Sequence, residues 1–225
     1  MRQLPLAIAA PPAPSFDSFL AVGANMALVA HLRALGRGAT PIYLWGPSGS
    51  GKTHLLRALA AQWQHGGERV SWFDAASATP WHHDAAWALA VLDECDRYDA
   101  AQQQAAFSLF VAATADGVAL AAAGRLPPVD LPLRDDLRTR LGWGHVFALE
   151  PLPEPQVRAV LRRAAEGRGL FLSDDVIDYL LTRFARDLKH LMAMLERLDA
   201  FALLHKRAPT VPLLKQMLIE EDAAP

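Results

Sequence analysis

Apolar and polar positions follow a repeating order along the first two thirds of the chain, in which short apolar runs alternate with amphipathic stretches. Five apolar runs predict strands, at residues 42–45, 69–73, 87–92, 118–123 and 145–149. Most of them lack polar alternation, which is typical of strands buried on both faces. The amphipathic stretches predict helices at 25–35, 54–63, 99–115 and 133–141, the first with Asn25 as its N-cap. The order predicts an α/β fold: a five-stranded parallel sheet with helices on both faces.

The pattern changes at the proline-rich segment 150–155. Beyond it we find no apolar run that resembles a strand. Three or four helices fit the remaining sequence, at 154–166, 173–184, 187–205 and 211–221. Residues 1–14 are rich in proline and alanine, which favours an extended tail. We therefore expect a flexible tail at 1–14, a core at 15–150 and a small all-helical subdomain at 151–225.

Composition narrows the class of protein. The chain has 225 residues, of which 52% are apolar, and this is enough for a sizeable core. Its formal net charge of −2 gives no overall field that would favour nucleic acid or an anionic membrane. Cys95 is the only cysteine, so an intrachain disulfide is excluded, and no apolar run reaches the ~20 residues of a membrane span. These features favour a cytoplasmic protein.

A glycine-rich segment follows the first predicted strand and has the form G-x-x-x-x-G-K-[ST] of a phosphate-binding loop. It consists of Gly46, Pro47, Ser48, Gly49, Ser50, Gly51, Lys52 and Thr53, and we also assign His54, which follows it into a helix, to the nucleotide. Glycines allow backbone N–H groups to turn toward a phosphate, and the helix N-terminus adds partial positive charge. Lys52 is expected to reach the β- and γ-phosphates, and the Thr53 hydroxyl to bind Mg²⁺.

Further candidate residues lie downstream of this loop. The apolar run ending in Asp93 and Glu94 is typical of a Walker B strand, in which Asp93 holds Mg²⁺ and Glu94 polarises the attacking water. Arg140 precedes the fifth strand, where it is either a surface arginine or one that reaches a neighbouring subunit's γ-phosphate. Lys189 begins a helix of the last third and is either an ordinary solvated lysine or a contact to nucleotide.

The order of these motifs resembles that of the AAA+ ATPases, and more closely the nucleotide-binding core of the bacterial replication initiator DnaA. Residues 16–25 resemble the family's entry signature, 139–144 its arginine-finger segment and 186–191 its sensor 2 motif. The resemblance implies that Phe16, Val22 and Asn25 border the adenine of ATP or ADP. It also implies that Arg140 is the arginine finger and that Lys189 takes the place of the sensor arginine.

The two ends of the chain differ from the initiator. The sequence stops at Pro225, without the initiator's DNA-reading domain, so we expect no sequence-specific DNA binding. Its start contains Gln3, Leu4 and Leu6, which resemble the short motif that binds the sliding clamp, the β subunit of DNA polymerase III. A clamp motif before a shortened initiator core resembles the Hda family of regulators that inactivate DnaA.

The resemblance implies a replisome-associated regulator that binds nucleotide, Mg²⁺, the clamp and DnaA, and that stimulates ATP hydrolysis on DnaA. Alternatives are a helicase-loader-like ATPase and a nucleotide-dependent interaction module without catalytic contribution; assembly into a homo-oligomer stays open. Alanines occupy the family's polar sensor 1 position near residues 121–124, and Arg125 replaces the acid that relatives carry next. We therefore expect weak intrinsic hydrolysis, because a water-positioning group is missing.

Overall fold

The computed structural model describes residues 14–184 and 188–222, which fall into two compact units divided between Pro151 and Leu152. The first unit contains α1 (Ala24–Arg33), β1 (Ile42–Trp45), α2 (Lys52–His65), β2 (Val70–Phe73), β3 (Leu89–Leu92), α3 (Ala100–Ala115), β4 (Ala119–Gly124), α4 (Asp135–Leu141) and β5 (His145–Ala148). The second contains α5 (Glu154–Glu166), α6 (Asp174–Arg183), α7 (Leu188–His205) and α8 (Val211–Asp222).

The five strands form one parallel sheet in the order β2-β3-β4-β1-β5, with helices on both faces, which confirms the predicted fold class. Trp45 at the end of β1 pairs with Gly124 in β4, and Leu92 at the end of β3 pairs with Ala122. The segments that follow β1, β3 and β4 therefore meet at one edge of the sheet. This is the edge at which open α/β sheets bind ligands.

Alternate residues of β1 show how the two layers of helices cover the sheet. Ile42 and Leu44 are buried in a cluster that includes side chains of α1 and α2. Tyr43, on the opposite face, is buried with side chains of α3 and α4. Successive strand residues point to opposite faces, so a strand that is apolar throughout needs a helix layer on each side.

Three of the differences between predicted and observed element boundaries have a structural explanation. Helix α1 begins at Ala24 after Gly23, so Asn25 is not its N-cap. The buried Asn25 amide instead donates to the Glu150 carbonyl (3.1 Å) and accepts from the Glu150 N–H (3.3 Å). Strand β3 begins at Leu89 rather than at residue 87, because a turn at Asp84 accepts backbone N–H groups from residues 86 and 87. Helix α4 begins at residue 135, since Leu133 is used as a buried core residue before it.

The second unit has a hydrophobic core of its own. Helices α5 to α8 bury mainly leucines in it, including Leu161, Leu180, Leu195 and Leu214. The described part of this unit contains helices and no strand, as the sequence pattern predicts. Across residues 14–184 and 188–222, none of the helices combines the length and the apolar character that a membrane crossing requires.

Candidate nucleotide-binding site

The glycine-rich loop joins β1 to α2 at the carboxyl edge of the sheet. Gly49 (φ 73°) and Gly51 (φ 101°) adopt a left-handed backbone, which L side chains rarely take. A Cβ on Gly46 would lie 2.5 Å from the Leu149 carbonyl oxygen, and one on Gly51 would lie 2.5 Å from Cε2 of Phe19. Both contacts are too close for a side chain. The spacing of the glycines is thus explained by backbone conformation and by the elements that pack on the loop.

Two polar side chains of this loop, Lys52 and Ser50, have contacts that bear on ligand binding. Lys52 Nζ donates to the carbonyl oxygens of Gly46 (2.7 Å) and Pro47 (2.8 Å). The buried Ser50 hydroxyl has no hydrogen-bond partner within the described protein. Buried hydroxyls without a partner are uncommon, and a phosphate oxygen is an acceptor that would satisfy this one. The lysine, the hydroxyl and the helix N-terminus of α2 suit a phosphate group.

A hydroxyl–carboxylate pair lies beside the loop. The Thr53 hydroxyl donates to Oδ2 of Asp93 at 2.7 Å, and the N–H of Glu94 donates to Oδ1 at 2.9 Å. Asp93 is 4% exposed, and burial raises the pKa of its carboxyl group, opposed by these two hydrogen bonds. Two oxygen donors beside a phosphate site fit Mg²⁺, which usually takes one or two protein ligands, phosphate oxygens and water. When bound, the ion would neutralise charge on the β- and γ-phosphates.

Glu94 follows in a left-handed backbone conformation with φ of 54°. Its half-buried carboxylate accepts two hydrogen bonds, both of 3.1 Å, from the Arg97 guanidinium. Non-glycine residues with this backbone carry strain, and strained residues cluster at functional sites. The observed pairing fixes the Glu94 carboxylate beside Asp93, but its proposed contact with an attacking water stays a prediction.

The end of β4 occupies the expected sensor 1 position. Ala121, Ala122 and Ala123 are all buried in the sheet, so this stretch offers no polar side chain to the site. Arg125 follows, and its N–H and Nε both donate to the Asp96 carboxylate, at 2.9 and 2.5 Å. The Asp96 side chain is only 4% exposed. Sequence reasoning noticed Arg125 but missed Asp96, because nothing in the spacing of the two residues indicates that they pair.

The entry segment, residues 14–23, packs on the last glycine of the loop and on the first turn of α2. Phe16 is buried in the core, with the Arg33 guanidinium 5.2 Å from its ring centre. His54 Nε2 lies 3.0 Å from the Ser15 carbonyl oxygen and 3.1 Å from the Ser18 hydroxyl. The pKa of His54 is lowered, mainly because the ring is buried, and the neutral form of the ring is therefore favoured. The segment is therefore attached to the first turn of α2.

Val22 and Asn25, the two other residues assigned to the adenine, lie at the end of this segment. Val22 is half-buried and its carbonyl accepts from the N–H of Asn25 at 3.1 Å. The Asn25 side chain is committed to the backbone of Glu150. The contact of Val22 and Asn25 with the adenine base is implied by the resemblance to DnaA and stays a prediction.

A second surface of this unit surrounds the last turn of α4. The half-buried Arg140 guanidinium lies over the ring of Trp143, 5.5 Å from its centre, and Trp143 is 59% exposed. Arg138 is paired with Asp135 at 2.7 Å. Among the described residues, Arg140 has no carboxylate within 4 Å. Nearby, Val129 and Val146 line an open groove of about 520 Å³ and are themselves exposed.

Comparison with known proteins gives a family match within the second unit and a fold match for the chain. The model of the Hda lid domain matches residues 154–218. Domain III of the replication initiation protein DnaA from Thermotoga maritima superposes with a TM-score of 0.76 at 17% identity, covering 93% of this chain and 97% of that one. The chain therefore has the AAA+ fold of DnaA domain III, and its residues 154–218 resemble the lid domain of Hda.

Two further solved structures support the AAA+ fold. A replication initiator DnaA bound to AMPPCP and single-stranded DNA has a TM-score of 0.70 at 20% identity, over 94% of this chain and 70% of that chain. The Thermotoga maritima RuvB Holliday junction branch migration motor has a TM-score of 0.57 at 16% identity, over 80% and 61% of the two chains. At these identities the structures define the fold of this AAA+ protein and leave its ligands to be tested.

The remaining predicted residues belong to other parts of the chain. Lys189 is an exposed residue in the first turn of α7, in the second unit. Its assignment to nucleotide stays a prediction. Gln3, Leu4 and Leu6 lie outside the described residues.

Proposed function

We propose that this AAA+ protein is a regulator of replication initiation that acts on DnaA. It binds ATP or ADP with Mg²⁺ in the cytoplasm, attaches to the sliding clamp and stimulates ATP hydrolysis on DnaA, which prevents re-initiation. The strongest support is the combination of an Hda lid match with an arginine that lies on an exposed tryptophan of a DnaA-like AAA+ unit.

Nucleotide binding is supported by the loop and by the groups around it. Lys52 is held at the mouth of the loop, Ser50 has an unsatisfied hydroxyl, and Thr53 is bonded to Asp93. Three kinds of donor and one buried carboxylate thus converge where phosphates and Mg²⁺ would bind. An AMPPCP-bound DnaA is among the proteins with this fold, which favours an adenine nucleotide.

Action in trans is supported by the position of Arg140. The residue is in the last turn of α4, and its guanidinium rests on a largely exposed tryptophan rather than on a carboxylate. A planar guanidinium delivered across an interface neutralises the charge that builds on the γ-phosphate oxygens of the partner. Arg138, two residues earlier, is already paired with Asp135 and so offers a matched control.

Weak intrinsic hydrolysis is part of the proposal. The alanines of β4 supply no polar group for a water, and Glu94 is paired with Arg97. Asp93 and Glu94 are nonetheless both present, so slow turnover rather than none is expected. A helicase-loader-like ATPase would instead hydrolyse ATP by its own turnover.

The decisive experiment is single-turnover hydrolysis of labelled ATP prebound to DnaA, with and without clamp loaded on DNA. The wild-type protein should accelerate hydrolysis, and Arg140→Ala should abolish the acceleration while Arg138→Ala retains most of it. An arginine finger is worth about 10³–10⁵ in rate in other phosphoryl-transfer systems. Full stimulation by Arg140→Ala would contradict action through this residue and would leave a nucleotide-dependent interaction module.

Clamp binding needs a separate experiment, because its motif lies in the tail. Replacing Gln3, Leu4 and Leu6 together by alanine should abolish co-elution with the clamp and leave the melting temperature unchanged. Leucines of such a peptide fill apolar pockets while the glutamine amide makes hydrogen bonds. Unchanged co-elution of the triple variant would place the clamp contact elsewhere and remove the feature that separates this proposal from a helicase loader.

A further inference from the structure

Trp143 is a large apolar side chain that the surrounding backbone holds at the surface. It is 59% exposed and stands between Gly142, which follows α4, and Gly144, which precedes β5. A Cβ on Gly144 would lie 1.8 Å from the Pro41 carbonyl oxygen, and the same oxygen accepts the N–H of the residue after Gly144 at 2.8 Å. The N–H of Trp143 donates to the Arg140 carbonyl oxygen at 3.2 Å. The backbone that carries the exposed indole is therefore fixed by the fold on both sides.

The same indole holds the Arg140 guanidinium, whose carbon lies 5.5 Å from the ring centre. The attraction between a cation and the face of a ring uses the charge of the cation and leaves its N–H groups available to other acceptors. Within residues 14–184 and 188–222, no group accepts a hydrogen bond from this guanidinium. Arg138, by contrast, donates from Nη2 to Asp135 at 2.7 Å. Arg140 is thus held in place while its donors stay available for a phosphate.

This way of holding an arginine suits a reaction on another molecule. Donors that are already placed where negative charge develops lower the energy of a transition state, because no rearrangement is needed at that moment. A carboxylate partner would order the guanidinium but would compete with the phosphate for the same N–H groups. An aromatic ring orders it without that competition, and the attraction becomes stronger when a docked partner excludes water from it.

We propose that Trp143 is a positioning residue for the reaction that Arg140 promotes on a partner. The indole holds the guanidinium by its ring face and directs the N–H groups toward the γ-phosphate of the partner. The proposal rests on the proposed action of Arg140 on DnaA, and it names the side chain through which the fold of this protein places the arginine.

The test titrates the full chain into DnaA that carries labelled ATP, with clamp loaded on DNA, and determines the plateau rate and the half-saturating concentration separately. Trp143→Leu should lower the plateau rate about 5- to 30-fold, the rate equivalent of a cation–π contact that is exposed or desolvated. The half-saturating concentration should stay within about twofold. Trp143→Phe keeps an aromatic face and should restore most of the plateau rate. Phe171→Leu removes an aromatic side chain that is 84% exposed in the second unit and is the matched control.

A second measurement observes the contact in the absence of DnaA. The Nε–H signal of Arg140 is the one that Arg140→Lys removes from the proton–nitrogen NMR spectrum. The ring current of the indole should shift this signal in the wild-type protein, and Trp143→Leu should move it toward the position of solvent-exposed arginines. An identical signal in the two proteins would show that the contact is not formed and would overturn the proposal.

Three outcomes of the titration would also overturn it. An unchanged plateau rate with a raised half-saturating concentration would show that Trp143 binds the partner directly. Equal losses in Trp143→Leu and Trp143→Phe would show that the aromatic face is not the feature that matters, and full stimulation by Trp143→Leu would show that Arg140 needs no positioning. If the wild-type protein does not stimulate hydrolysis, the proposed action on DnaA is itself wrong, whereas stimulation by wild type and Trp143→Leu alike removes only the role of Trp143.

Discussion

The glycine-rich loop (residues 46–53) and the surface around Arg140 lie in the same unit but satisfy their polar groups in opposite ways. Around the loop, Lys52 is bonded to backbone carbonyls, Thr53 to Asp93 and His54 to the entry segment. Around α4, the Arg140 guanidinium rests on the exposed ring of Trp143. The loop is therefore built by contacts within the chain, while the α4 surface offers a cation and apolar side chains to the outside.

This difference predicts different consequences of mutation. Substitutions in the loop should change folding stability, nucleotide affinity or both, because each residue there is packed on another element. Substitutions at Arg140 should change neither, because the residue has few contacts to lose, and should act only on a partner's reaction. An Arg140 variant that lost stability or nucleotide affinity, or a loop variant that changed only the partner's reaction, would contradict this distinction.

The variant with the largest expected effect is Arg140→Lys, which tests whether the shape of the Arg140 side chain matters as well as its charge. Arg140→Lys should recover only a small part of the stimulation lost in Arg140→Ala, within a range of about 10³–10⁵ in single-turnover rate. A lysine supplies a point charge without the planar fork of the guanidinium. The Arg140→Lys protein should have the same affinity for MgADP and the same melting temperature as wild type. Stimulation equal to wild type would show that charge alone is sufficient.

Lys52→Ala should weaken MgADP binding by roughly 10- to 100-fold, since hydrogen bonds to charged groups each contribute about 1.5–3 kcal/mol. Calorimetry measures the affinity directly. Arg57→Ala is the control on the same helix, because its guanidinium lies 5.9 Å from the Trp72 ring centre. Equal affinity of Lys52→Ala and wild type would contradict the phosphate site.

Gly51→Ala should lower the free energy of unfolding by about 1–3 kcal/mol, since a strained backbone conformation costs that much. The change combines a φ of 101° with a collision against Phe19. Urea denaturation measures it, and Gly67→Ala separates the two causes because Gly67 has a φ of 81° in open space. A loss no greater than that of Gly67→Ala would show that Phe19 moves aside and that the entry segment is loosely held.

The fold was largely predictable from the sequence because it depends on local signals. Apolar runs without polar alternation indicated the five strands, and Gly51, Lys52 and Thr53 indicated where α2 begins. The positions of the glycine-rich loop after β1 and of Asp93 after β3 were predictable for the same reason, since each belongs to a short motif beside a strand.

Contacts between distant residues were not predictable. Asn25 has the residue type of an N-cap, but a tertiary bond to Glu150, 125 positions away, overrides that local preference. His54 was assigned to the nucleotide by its place after the loop, yet its bonds to Ser15 and Ser18 join residues 39 and 36 positions apart. No periodicity or short motif records such pairs, so they required the structure.

The smallest expected effect concerns two buried carboxylates close together in the chain. Asp93 and Asp96 each have side chains that are almost inaccessible, but Asp96 is paired with Arg125 while burial raises the pKa of Asp93. The charged form of Asp93 therefore costs free energy at neutral pH when no Mg²⁺ is bound. Asp93→Asn should raise the unfolding free energy of the nucleotide-free protein by roughly 0.5–2 kcal/mol, as stabilising changes at functional sites do.

Asp96→Asn is the matched control and should change stability in the opposite direction, because it removes the charge that holds Arg125. Both are measured by urea denaturation at pH 7 with a chelator present, and again with MgADP. Nucleotide should stabilise wild type and Asp96→Asn more than Asp93→Asn, since only the last has lost a proposed Mg²⁺ ligand. If the nucleotide-free Asp93→Asn protein were less stable than wild type, the charged carboxylate would stabilise the fold. The proposal that the loop region sacrifices folding stability for ligand binding would then be wrong.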